Sequence, residues 1–149
     1  MARTVSDIVV AAPADRVMAV ISDLAAYPQW ATGVSEIEIL ERTPEGRALV
    51  ARMTLDSPPI RDSFVLRYRW VSEHHVQWGL DDGSDSMLTA MDGAYLLEKV
   101  GNDNTRVTYQ LSVGVAMPLL GMLKRKAEKV VVDTALKGLK KRVESDVDV

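Results

Sequence analysis

Between residues 34 and 116 the apolar side chains recur at every second position. The clearest runs are Ala51, Met53, Leu55; then Phe64, Leu66, Tyr68, Trp70; then Val76, Trp78, Leu80; and finally Val107, Tyr109, Leu111, Val113, Val115. The positions between them include Arg52, Arg67, Arg69, Gln77, Arg106, Thr108 and Gln110. Strand side chains point alternately to opposite faces, so this spacing predicts an antiparallel sheet with one dry and one wet face. Turn signals at PEG, SPP, SEHH, DDGSD and GNDN divide the stretch into six strands. Upstream, the β-branched run TVSDIVV predicts one more short strand, for about seven in all.

On either side of this block the period becomes helical. Pro13 suits a first helical turn and Asp15 the positive end of a helix dipole, and Val17, Val20, Ile21 and Leu24 then share one face. A first short helix is expected there and a second around AAYPQWATG, where the chain bends. After Pro118 the pattern predicts a helix of about 26 residues, spanning roughly 40 Å. Leu120, Leu123, Ala127, Val130, Val131 and Thr134 form one stripe on it, which we expect to cover the dry face of the sheet. A second stripe, Val132, Leu136, Leu139 and Val143, is expected to meet the first helices or a second subunit, as in a homodimer. The closing ESDVDV reads as a frayed tail.

These elements make an α+β unit in which a curved sheet wraps a helix. At 149 residues the chain is expected to form one domain, residues 1–149, around one core. The long flexible or aromatic side chains available for the interior, Met53, Met91, Leu55, Tyr68, Trp78 and Tyr95, face small ones at Ala127 and Thr134. Such a pairing leaves room for a cavity that suits an apolar small molecule.

Composition narrows the chemistry. The absence of cysteine excludes disulfides, thiolate metal sites and thiol catalysis. No apolar run has the length of a signal peptide or a membrane span, so a cytoplasmic protein is expected. A net charge of −3 gives no reason to expect nucleic acid. The charge is nevertheless uneven. From residue 119 to 143 eight lysines and arginines stand against only Glu128 and Asp133, which suits a solvated helix face or transient contact with an anionic membrane.

The order VVAAPADRVMAVISDLAAYPQW, the YRW and VQWGL strands, MDGAYLLEKVGNDNTRVTYQL and the closing MPLLGMLKRKAEK resemble the START-like (SRPBCC) superfamily. The branch is that of the polyketide cyclases and dehydrases, and the chain is also similar to coenzyme-Q-binding proteins. The likeness spans nearly the whole chain and implies a helix-grip fold with an apolar tunnel between sheet and long helix. Tyr27 and Trp30 would then be a wall or gate of that tunnel, or Trp30 a plain seal on the end of the core. On this reading the ligand-binding residues are Trp30, Met53, Leu55, Phe64, Leu66, Tyr68, Trp78, Met91, Tyr95, Tyr109, Leu123 and Ala127.

No catalytic residue, metal site or cofactor is expected. His74 and His75 are adjacent in a turn, where strand geometry sends them to opposite faces. The DDGSDS segment lacks the spacing and terminal glutamate of a calcium loop and reads as a hairpin turn. Gly93 inside a strand run suggests sheet curvature. The dry face offers Tyr68, Thr89, Tyr95 and Tyr109 but no His, Asp or Glu as a base. We therefore expect a non-enzymatic carrier or sensor of a lipid, quinone or polyketide-like molecule. The alternatives are a polyketide aromatase/cyclase or dehydratase, and an interaction module acting through the second helix stripe.

Overall fold

The computed structural model describes residues 3–57, 60–82, 86, 88–115 and 121–145, without the side chains at 57, 60, 61, 115, 121–125 and 127. Its elements follow the order β1 (Thr4–Val10), α1 (Ala14–Ser22), a 3-10 turn (Leu24–Ala26), α2 (Tyr27–Trp30), β2 (Val34–Arg42), β3 (Ala48–Ser57), β4 (Ile60–Ser72), β5 (His75–Asp82), β6 (Leu88–Val100), β7 (Asn104–Val115) and α3 (Gly121–Ser145). The strands form one antiparallel seven-stranded sheet in the order β1-β7-β6-β5-β4-β3-β2. Hairpins join β2 through β7 in turn, while the helical excursion after β1 lets that strand return beside β7. Positive φ angles at the hairpin turns are taken by Gly46 and Gly101, which lack the Cβ that would resist them.

The sheet curves because its ladders are interrupted. Register shifts fall at Val34/Glu36, Ile39/Glu41 and Glu41/Arg42 in β2, between Val65 and Leu66 and between Trp70 and Ser72 on β4, and between Leu88 and Ala90 in β6. Each extra residue bends its strand and increases the local twist. Gly93, which the sequence suggests as a source of curvature, has another role: Trp78 pairs with it across the ladder, and a Cβ built there would overlap the indole. The glycine makes room for a tryptophan.

The long helix lies along β1 and β7 and packs at its far end on α1 and α2. Its buried side corrects the sequence reading. Val132, Leu136, Leu139 and Val143 are at most 2% exposed and join the core, whereas Val130 and Val131 are 61% and 45% exposed. The second stripe is thus the core face, and the stripe assigned to the sheet points Val130 and Val131 outward. Glu144 and Ser145, read as the start of a frayed tail, are the last residues of α3, while Leu120 of that stripe and residues 146–149 lie outside the described residues. The core stripe continues N-terminally through Glu128, which is 2% exposed and breaks the apolar pattern that would have revealed it.

Among the described residues Glu128 is buried without a cation, and backbone and hydroxyl donors meet it. The Val113 amide donates to Oε2 at 2.8 Å and Thr4 Oγ1 to Oε1 at 2.9 Å. β1 pairs with β7 from Thr4↔Leu111 onward, so the carboxylate takes an amide two residues beyond that pairing. At the other end of α3, Lys140 Nζ donates to the Val9 carbonyl at 2.9 Å, and the Ala11 amide donates to Glu144 at 2.8 Å. Hydrogen bonds from Lys140 and Ala11 hold the Glu144 carboxyl below its ordinary range. Thr105, fully buried, donates its hydroxyl to the Ala12 carbonyl. Both ends of the helix are tied to the first strand and its turn, which fixes how α3 lies against the sheet.

Candidate functional site

Along the concave face, side chains form successive belts. At the end bounded by the β1–α1 turn and the β6–β7 hairpin, Val10, Ala12, Val17, Met18, Ile21, Ala48, Val76, Val107, Leu139 and Val143 are all buried to within 2%. This end is filled. Farther along the strands comes an aromatic belt of Tyr68, Trp78, Tyr95 and Tyr109. Beyond that belt the concave face is apolar but only half-buried, at Val34, Ile37, Met53, Leu55, Leu80, Leu88, Met91 and Val113. From Tyr109 to Val113 the strand rises about 13 Å, which sets the depth of this half-open part. α3 runs beside β1 and β7, while α2 and the 3-10 turn meet β2.

The aromatic belt is tightly built. Trp78 meets Tyr95 at 5.4 Å, Tyr109 at 5.5 Å and Tyr68 at 5.8 Å between ring centroids, and Tyr95 meets Tyr109 edge-on at 4.7 Å. Tyr68 also stacks on Trp70, whose Nε1 donates to the Ala48 carbonyl at 2.8 Å. Burial pushes the phenol pKa values of Tyr68, Tyr95 and Tyr109 up, and in Tyr68 and Tyr95 the neighbouring phenols add to it. All three therefore stay protonated at any ordinary pH and serve as hydrogen-bond donors rather than bases.

Their hydroxyls have no hydrogen-bond partner in the protein, among the described residues. Trp30 Nε1 is the one side-chain polar atom among those residues that is both unpaired and sealed from solvent-sized space. The three tyrosine hydroxyls are thus unpaired inside a belt whose residues are 5%, 5% and 7% exposed, and all three lie within electrostatic reach of the Tyr27 phenol. Buried polar groups are ordinarily paired, so three unpaired donors in one buried belt mark a candidate site.

The AAYPQW segment divides between core and edge. Tyr27 is buried and donates its hydroxyl to the Ile21 carbonyl at 2.5 Å, which makes it a core residue rather than a gate. Trp30 is half-buried, meets Tyr27 edge-on at 5.0 Å, and packs over Gly138 of α3, where a Cβ would come within 3.1 Å of the Trp30 carbonyl. It packs into the corner between α2 and α3.

Most of the sequence-predicted site residues share one face. Met53, Leu55 and Met91 belong to the half-open belt; Phe64 and Leu66 are buried walls; Tyr68, Trp78, Tyr95 and Tyr109 form the aromatic belt. Trp30 lies at the α2–α3 corner. Leu123 and Ala127 fall on α3, but their side chains lie outside the described residues. Thr89, expected on the dry face, is exposed.

Sequence reasoning missed two carboxylates. Glu128 is one. The other is Asp62, which pairs across the ladder with Leu55 and so shares the concave face at its open end, where Ser86 Oγ donates to it at 2.7 Å. A register count from the β3–β4 hairpin would have found Asp62; nothing in a single sequence marks Glu128 as buried. His74 and His75 sit at the β4–β5 turn as expected, and the DDGSDS turn falls at the β5–β6 connection, partly outside the described residues. Among the described residues no three His, Asp or Glu side chains group as metal ligands.

The wet face carries a groove of about 610 Å³ over Gly79 and Ala94, rimmed by Arg3, Arg67, Arg69, Gln77, Asp92 and Gln110. Arg67 is paired with Asp81 at 3.0 Å, and Arg3 donates to Gln110 at 3.2 Å. Charged walls make this groove a poor home for an apolar molecule, so the candidate site is the concave one.

Comparison with known proteins agrees with this architecture. The family described as polyketide cyclase / dehydrase and lipid transport matches residues 10–140, and the chain belongs to that family, a branch of the START-like superfamily. Its fold superposes with a TM-score of 0.88 on a START superfamily protein from Mycobacterium smegmatis, at 25% identity over 96% of this chain and 97% of that one. A protein from Thermus thermophilus matches with a TM-score of 0.82 at 20% identity, over 97% and 99% of the two chains. The Zhui aromatase/cyclase from a Streptomyces species matches with a TM-score of 0.72 at 17% identity, over 98% and 95%. No curated protein matches the chain. Among the described residues no helix is long and apolar enough to cross a membrane.

Proposed function

We propose that the protein binds a hydrophobic small molecule between the concave face of its sheet and α3, and carries or senses it without transforming it. The observation that carries this reading is the half-buried apolar belt of Met53, Leu55, Leu80, Met91 and Val113, set above a filled core and walled by aromatic rings. Apolar surface kept in a concavity gains about 25 cal/mol per Å² when a guest removes it from water, less the cost of ordering the guest.

A second reading, aromatase/cyclase or dehydratase, draws on the likeness to the Streptomyces enzyme. Ring closure needs a base that reaches a substrate proton. The belt tyrosines are held protonated, and both Glu128 oxygens are occupied by donors. Asp62 lies at the rim of this face, where it accepts from Ser86 Oγ. Binding without turnover is the reading we favour. Exchange at an anionic bilayer through the exposed lysines of α3, Lys126, Lys137 and Lys141, is part of the same proposal.

Native mass spectrometry of gently purified protein, followed by solvent extraction, is expected to release a stoichiometric apolar compound or to record uptake of one from a hydrophobic panel. The same protein should sediment with phosphatidylserine vesicles and stay in solution with phosphatidylcholine ones. Repeated failure to recover or load any apolar molecule would defeat the carrier reading.

A further inference from the structure

We propose that the guest carries a neutral oxygen acceptor at its inner end, a ketone, quinone or phenol oxygen, and that two of the three hydroxyls of Tyr68, Tyr95 and Tyr109 donate to it while its apolar part extends past Met53 and Met91. This deepens the carrier reading above and rests on it. The hydroxyls supply the argument. Each phenol is buried on its ring, is held protonated and has no protein partner among the described residues, so each retains an unsatisfied donor. A pure hydrocarbon would cover these hydroxyls and leave them unpaired, which opposes its own binding.

The sign of the charge also discriminates. Around the belt the cross-strand partners on the concave face are apolar or aromatic except Ser6, which pairs with Tyr109 and accepts from Lys129 Nζ at 3.2 Å, and toward the open end of that face stands Asp62, an acid. A carboxylate guest would lose its hydration to neutral donors, because the two described cations beside the belt are already paired, Lys129 with Asp133 at 3.0 Å and Arg47, which lies over Trp70, with Glu73 at 3.1 Å. A carbonyl oxygen loses far less on desolvation and accepts two such donors through its two lone pairs. Tyr95 and Tyr109, cross-strand partners whose ring centroids are 4.7 Å apart, are the pair we assign to it.

The test uses three naphthalene probes of matched shape: 2-acetonaphthone, 2-ethylnaphthalene and 2-naphthoate, each measured by equilibrium dialysis at pH 7. The proteins are the unmodified chain and the Tyr95→Phe/Tyr109→Phe variant, with Tyr68→Phe as a second variant. Removal of hydroxyls that bond nothing in the protein should leave thermal stability unchanged, which separates a binding effect from a folding one. The ketone is expected to bind the double variant about tenfold more weakly, the loss of one or two modest hydrogen bonds, while the hydrocarbon binds both proteins alike. The naphthoate should bind at least tenfold more weakly than the ketone. If the ketone binds both proteins equally, or the naphthoate matches it, the assignment of the inner end is overturned while the carrier reading stands. If none of the three binds the unmodified chain, the carrier reading itself fails and takes this inference with it.

Discussion

A chain carrying Leu136→Asp should not fold. Leu136 sits in the middle of the α3 stripe that faces the core and is 2% exposed. Truncating a buried leucine costs about 2 to 5 kcal/mol, and placing an unpaired carboxylate in the gap adds a desolvation penalty of several more, or forces the acid to stay protonated. Against a total stability of about 5 to 15 kcal/mol, that sum removes most or all of the folded population. Val130→Asp, earlier on the same helix and on its 61% exposed side, should shift stability by no more than about 0.5 kcal/mol. Circular dichroism melts of the two variants separate the faces of the helix. A folded Leu136→Asp protein would restore the second stripe as a surface for a partner, the role that the buried packing denies it.

The second large effect is expected at Gly93. A Cβ there would overlap three atoms of the Trp78 indole, closer than any real contact, so Gly93→Ala must displace the ring or the strand. Overpacking of this kind costs about 1 to 3 kcal/mol, roughly 2 to 10 °C in melting temperature for a chain of this length. Displacing Trp78 also breaks its contacts with Tyr68, Tyr95 and Tyr109, so ligand binding should weaken along with stability. Gly79→Ala is the control. On the other face of the same sheet a Cβ meets the Met91 carbonyl at 3.5 Å and Asp92 at 3.9 Å, ordinary contacts, and the melt should be near that of the unmodified chain. Equal melts for the two variants would mean that the indole does not rest on Gly93.

The outcomes at these two positions also mark where the sequence is legible. Alternation places Tyr68, Trp78, Tyr95 and Tyr109 on one face correctly, because a half-buried antiparallel strand must segregate its side chains. The TVSDIVV run is β1 to the residue, and the long helix has nearly its expected extent. The helix faces were the harder problem. With Glu128 in register, the core stripe starts late and looks shorter than the rival stripe that includes Val130 and Val131, and hydropathy favours the wrong one. What reverses the order is a pair of local donors, the Val113 amide and the Thr4 hydroxyl, which only the folded chain brings to the carboxylate. Asp62 was missed for a related reason: a polar residue next to a turn reads as solvated until the register places it opposite Leu55. Alternation likewise cannot separate a filled core from a cavity wall. That distinction came from half-buried apolar residues at one end of the face and tyrosine hydroxyls with nothing to bond.

The most direct test is a titration of 13C-methyl-methionine protein with 2-acetonaphthone, followed by NMR. Met53 and Met91 stand in the half-open belt, while Met18 is 1% exposed in the filled end and serves as an internal reference. A guest seated between sheet and helix shifts the Met53 and Met91 methyl signals, gives contacts from both to the probe, and leaves Met18 in place. Saturating probe that leaves Met53 and Met91 unmoved would contradict the account.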